Sequence, residues 1–126
     1  MLRKEVRKAL IKAARKRRTV TYGYLMKKFR ISRGHPRGCG IASVIGEIGR
    51  YEDERGAPGF GAIVVRKDTG YPGGGYFCYG DLPRGLRRAR SKGANPRLAA
   101  AEKKHIDVER ETIWNYYQKR YLRRAR

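Results

Sequence analysis

Four side chains in the sequence have the chemistry to bind zinc: His35, Cys39, Cys78 and His105. Structural zinc sites draw their ligands from short pairs such as Cys-x2-Cys or His-x3-His, because two ligands on one turn already preset part of the tetrahedron. No such pair is present, so a loop histidine and buried cysteines are expected, and no metal or other cofactor. Asp81 with Glu102-Lys103-Lys104 follows the acidic-plus-Lys pattern of metal-dependent nucleases, whose cation needs clustered carboxylates. Glu102, however, falls in an Ala-rich helical stretch and not on a strand. No Ser, His and Asp form a triad motif, and nothing marks a nucleophile. Catalysis is not expected, with a metal-dependent nuclease kept as one alternative.

Binding is the chemistry that the charge supports. Lys and Arg number 32 against 11 Asp and Glu, a formal net charge of +21 on 126 residues. Such a surplus calls for a polyanionic partner, and nucleic acid is the first candidate. Residues 1–18 hold nine basic side chains and one acidic, residues 19–37 five and none, and residues 81–126 fourteen and five. Residues 38–57 reverse the balance, with two basic and four acidic. That reversal limits which part of the chain can lie against phosphates.

The elements that must position these charges follow from apolar spacing. Leu2, Val6, Leu10 and Ala13 predict an amphipathic helix over 2–17 with a basic outer face. Thr21 is a good N-cap for a short second helix carrying Tyr22, Leu25, Met26 and Phe29 on one side. Residues 30–38, with Gly34, Pro36 and Gly38, read as a turn. Ile41, Val44, Ile45, Ile48 and Tyr51 predict a third helix, which the acidic cluster Glu52, Asp53 and Glu54 ends before Gly56. Gly46 and Gly49 within it suggest close approach of a neighbouring element.

Residues 60–65 and 76–79 read as the two strands of a hairpin with a glycine-rich tip. A basic helical stretch follows over residues 84–92. The last helix opens at Asn95 and Pro96, with Ile113, Trp114, Tyr117 and Tyr121 as its apolar stripe and Arg110, Lys119, Arg120, Arg123 and Arg124 as its charged side.

Three helices followed by a hairpin give the order of a winged helix-turn-helix, in which the third helix enters a groove and the hairpin meets the flanking backbone. The expected fold class is therefore α+β: a winged helix-turn-helix with a two-stranded hairpin and additional C-terminal helices. Residues 1–80 form its DNA-binding core, and residues 81–126 a basic helical extension packed on that core within a single domain. Arg33, Arg37, Gly38, Gly40 and Ser43 would then meet DNA at the start of the third helix, where amides and helix dipole favour phosphate. Arg66 and Lys67 on the hairpin, and Arg3, Arg7 and Arg15 on the first helix, would meet the backbone.

The stretches Thr19-Val20-Thr21-Tyr22-Gly23, Ser43-Val44-Ile45-Gly46, Pro58 to Val65 and Gly74-Gly75-Tyr76 resemble the DNA-binding domain of the alkyltransferase and alkyltransferase-like proteins, over residues 19–77. The resemblance implies a role for Tyr22 near the DNA backbone at a target nucleotide. It puts Ser43 at the place of that family's intercalating arginine. Gly59 and Phe60, or Gly61 and Ala62, fall where the family carries its reactive Cys-His, so alkyl transfer is not implied. In length and composition the whole chain resembles a small protein of a spherical virus of hyperthermophilic archaea, which implies an intracellular, heat-stable viral protein.

Cys39 and Cys78 form no disulfide framework, although a single bridge is compatible with a hyperthermophile. No run of apolar residues is long enough for a membrane span, and residues 1–10 lack the apolar core of a signal peptide. An intracellular protein is expected, in the host cytoplasm if viral. Trp114, Tyr116, Tyr117 and Tyr121 at helical spacing suit the core, base stacking, or a homodimer contact through the last helix. The reading that joins these features is a non-enzymatic protein binding double-stranded DNA, as a regulator or genome-associated protein. An RNA-binding module like a ribosomal protein is the other alternative.

Overall fold

A computed structural model describes residues 2–31, 40–72 and 100–125. Its elements are α1 (Leu2–Arg15), β1 (Val20–Thr21), α2 (Tyr22–Phe29), α3 (Ile41–Glu54), a 3-10 turn (Gly61–Ile63), β2 (Val64–Val65) and α4 (Ala100–Ala125). The result is a helix-rich α+β arrangement whose small sheet has two parallel strands, Val20 opposite Val64 and Thr21 opposite Val65.

Helix α1 buries Val6, Leu10 and Ala14, each at the four-residue spacing that keeps side chains on one face. The sequence phase favours Ala13, but Ala14 is the buried alanine, and the helix ends two residues sooner than expected because Arg17 turns to a positive φ of 54°. The predicted cap of α2 is present: Thr21 Oγ1 accepts from the Tyr24 N–H at 3.1 Å. Leu25 is buried beneath α2, while Tyr22, Met26 and Phe29 pack at the edge of the same core.

In α3, Ile41 and Ile48 are buried and Val44 and Ile45 lie against the core as expected. Two neighbours exchange their expected places. Tyr51 is 44% exposed, whereas Glu52 is fully buried. The heptad-like series 41, 45, 48, 52 holds one face of a helix, and position 51 lies a full residue's rotation away from it. Glu52 is tolerated because Arg7 and the Tyr117 hydroxyl both donate to its carboxylate. Gly49 does meet a neighbour: a Cβ on Gly59 would lie 3.2 Å from the Gly49 Cα, so backbone packs on backbone there. Gly46 faces open space instead.

The expected strand over 60–65 shrinks to its last two residues. Phe60 to Ile63 coil into a 3-10 turn that buries Phe60, Ala62 and Ile63 at the centre of the core. Val64 and Val65 then pair with β1 in parallel, a pairing that the hairpin reading does not include. The proposed second strand, residues 76–79, lies outside the described residues. The chain does reverse after β2, but in a short turn. Arg66 N–H donates to the Tyr71 carbonyl and Gly70 N–H to the Arg66 carbonyl, both at 2.9 Å, with Gly70 at a positive φ of 73°.

Helix α4 closes the core. Ile106, Ile113 and Tyr117 are buried, and Trp114 and Tyr116 pack beside them. The Tyr117 ring stacks on Phe60 with centroids 4.9 Å apart and meets Tyr116 edge-on at the same separation. Arg110, expected on the charged outer side, turns inward and donates to the carbonyls of Ala62 at 2.9 Å and Gly70 at 2.6 Å, its guanidinium over the Tyr71 ring. The opening at Asn95 and Pro96 and the stretch 84–92 lie outside the described residues.

Candidate nucleic-acid interface

Arginine and lysine on α1 do different things. Arg3 pairs with Glu47 of α3 at 3.2 Å, and Arg7 binds Glu52 while lying over the Tyr51 ring. Arg17, just past the helix, pairs with Glu111 and donates to Asn115 of α4, and its guanidinium covers Trp114. Arg15 is half-buried and engaged. Guanidinium groups suit these places because their planar forks meet carboxylates and stack on rings. Lys4, Lys8, Lys12 and Lys16 are exposed, and none has a carboxylate partner among the described residues. Of the backbone contacts expected on α1, Arg7 is committed to the buried Glu52 and Arg3 is paired with Glu47 at the surface, while lysines that the sequence reading did not single out face solvent.

The same pairing changes the electrostatics of α3. Its acidic half was expected to repel phosphate, yet Glu47 and Glu52 are neutralised by Arg3 and Arg7, leaving Asp53 and Glu54 at the exposed C-terminal end. At the other end, Gly40 is a buried N-cap with no side-chain cap bond. Ser43 is half-buried, and Ala42, Gly46 and Arg50 form the exposed face at four-residue spacing. Small residues there leave the helix backbone close to its surface.

Among the remaining expected contacts, Tyr22 is half-buried against the core and engaged, not free at the surface. Arg66 grips Asp68 through Nε at 2.9 Å, and this hydrogen bond holds the Asp68 carboxyl below its ordinary range. Lys67 is exposed. Arg33, Arg37 and Gly38 lie outside the described residues, as do His35, Cys39, Cys78 and Asp81. On α2, Tyr24 is 51% exposed with the Lys28 ammonium 5.5 Å from its ring centre, beside exposed Lys27 and Arg30. The sequence offered a signal for this pair, an aromatic and a lysine one turn apart.

Among the described residues, no group of three or more His, Cys, Asp or Glu is placed to hold a metal. Glu102 is buried and engaged on the first turn of α4, and His105 is half-buried and engaged. No described helix is long and apolar enough to cross a membrane.

The polar network in the core has a titratable member. Burial, with the Glu52 charge next, pushes the Tyr117 hydroxyl far above the ordinary tyrosine value, while that hydroxyl donates to Glu52 at 3.0 Å and lies 3.1 Å from the Pro58 carbonyl. An unfolded chain releases this proton near pH 10, whereas the folded chain keeps it. Stability should therefore fall as pH rises above about 10, by up to about 1.4 kcal/mol per pH unit from this group alone. Every other group is common to both proteins when the comparison is with Tyr117→Phe. Denaturant titrations from pH 8 to 11 should show a steeper decline for the wild type by about one proton, and parallel declines would refute the assignment.

No family model matches the chain, and neither a curated protein nor a solved structure is significantly similar to it.

Proposed function

We propose that this chain is a non-enzymatic protein that binds double-stranded DNA inside the cell, as a regulator or genome-associated protein. The observation that carries the reading is where the charge goes. Glu47 and Glu52 of α3 and Glu111 of α4 pair with arginines on and just after α1, while exposed lysines on α1 and α2 keep their charge for a partner. A surplus of +21 held this way favours a polyanion over an acidic patch on a protein.

In this reading α3 approaches the groove with Ala42, Ser43 and Gly46, after the basic segment that contains Arg33, Arg37 and Gly38, while Gly40 is buried. Lys67 and Arg66, in the turn after β2, would meet the flanking backbone as a wing does. The winged-helix and alkyltransferase-like readings belong to the same proposal, without alkyl transfer. In the stripe that suggested a homodimer, Ile113 and Tyr117 are buried and Trp114 and Tyr116 are partly buried against the core.

Competition between a duplex DNA and a structured RNA at fixed salt tests the partner. Duplex DNA should win, and preferential retention of RNA would transfer the function to an RNA-binding module. In the same preparation, incubation with alkylated DNA should leave the intact mass unchanged, and Mg²⁺ should produce no cleavage. An adduct or cleavage products would overturn the non-enzymatic reading.

A further inference from the structure

We propose that the outer face of α1 is a surface built to track the phosphate backbone of duplex DNA, separate from the α3 face and indifferent to sequence. The proposal rests on the double-stranded DNA reading and adds to it a place and a mode of contact. Lys4, Lys8 and Lys12 recur at four-residue spacing along α1, and Lys16 continues the series into the turn after it. Each step advances about 6 Å along the axis, so the row spans roughly 18 Å. A duplex presents one phosphate per ~1.7 Å of its axis, so a row of this length can give every ammonium a phosphate.

Three features distinguish the row from an ordinary solvated face. Its members are all lysines, whereas Arg3 and Arg7 of the same helix turn to Glu47 and Glu52. Lysine meets phosphate as a point charge and reads no base, which suits sequence-independent contact. The row also works against its own helix, because like charges one turn apart repel, and the single acid on α1, Glu5, makes no ion pair among the described residues. The face opposite the row is fixed: Val6, Leu10 and Ala14 are fully buried. At the helix end, Gln118 donates to the Arg15 carbonyl at 3.1 Å and the Trp114 indole to the Arg18 carbonyl at 3.2 Å. The lysines are therefore carried on a helix anchored to the core along its length.

The test compares two triple variants of the full chain with equal net charge, Lys4→Gln/Lys8→Gln/Lys12→Gln on α1 and Lys103→Gln/Lys104→Gln/Lys119→Gln on α4. Gln matches Lys in helix propensity, and circular dichroism checks that both are folded. Binding to two unrelated duplexes is followed across salt. The α1 variant should lower the slope of log K against log salt by about 2 to 3, equally on both duplexes, and a matching triple Lys→Arg variant should restore it. An α1 variant with wild-type affinity and slope would overturn the proposal while leaving DNA binding intact. An equal loss in both triple variants would overturn it too, since the row would then be only part of the general charge. If the wild type binds no duplex even at low salt, the DNA-binding reading itself fails and the row goes with it.

Discussion

Affinity for double-stranded DNA is expected to fall by about 10³ to 10⁵ between roughly 50 and 200 mM salt, the response of a protein that neutralises about 6 to 10 phosphates. The size follows from the surface. Lysines on α1, with Lys27 and Lys28 on α2, Arg30 just after it and Lys67 after β2, are exposed. Each cation that meets a phosphate releases a condensed counterion, and the entropy of that release shrinks as bulk salt rises. Fluorescence anisotropy with one short duplex at several salt concentrations gives the slope. A flat dependence would remove phosphate contact as the source of binding, and with it the main support for the function proposed above.

How far the sequence could announce this arrangement differs from element to element. Thr21 and the Tyr22–Phe29 helix were legible because capping and amphipathic spacing are local, and both are found where the spacing puts them. The buried series Ile41 and Ile48 was legible for the same reason. Glu52 was not, because its polarity argues for solvent while its helical phase argues for the core. What settles the conflict are Arg7 and Tyr117, 45 and 65 residues away. The pairing of Val20 with Val64 was equally hidden, since strands of two residues show no alternation and a parallel partner leaves no turn signal. Arg110 looked like one more surface cation. Its inward turn depends on the carbonyls of Ala62 and Gly70, which only the folded chain brings beside α4.

For the candidate interface, the sign and size of the charge could be read from composition, but the division between arginine and lysine could not. Helical phase alone separates Arg3 and Arg7 from Lys4 and Lys8 by one residue. Which of the two faces is occupied is decided by α3, whose Glu47 and Glu52 claim the arginines. Arg7, expected to meet the DNA backbone, is committed to Glu52 for this tertiary reason, and Arg3 is paired with Glu47 at the surface.

That assignment gives Arg7 a measurable structural role. Arg7→Met should cost about 3 to 5 kcal/mol, because it leaves the Glu52 carboxylate buried without its countercharge. The Tyr117 hydroxyl would remain as a donor, but a neutral donor supplies only part of what a guanidinium gives a buried carboxylate. Glu52→Gln should cost less. It removes the charge from the site that water cannot reach, keeps the shape and an acceptor for Tyr117, and leaves Arg7, whose side chain is 26% exposed, able to turn to solvent. The order of the two variants carries the argument, since a surface ion pair would give two small and similar losses of about 0 to 1 kcal/mol. The double variant should lose less than the sum of the singles, because neutralising Glu52 removes the charge that the loss of Arg7 strands. Denaturant unfolding of all four proteins at neutral pH supplies the cycle. A loss below about 1 kcal/mol in Arg7→Met would mean that Arg7 is dispensable to the core and returns to the surface as a candidate for DNA.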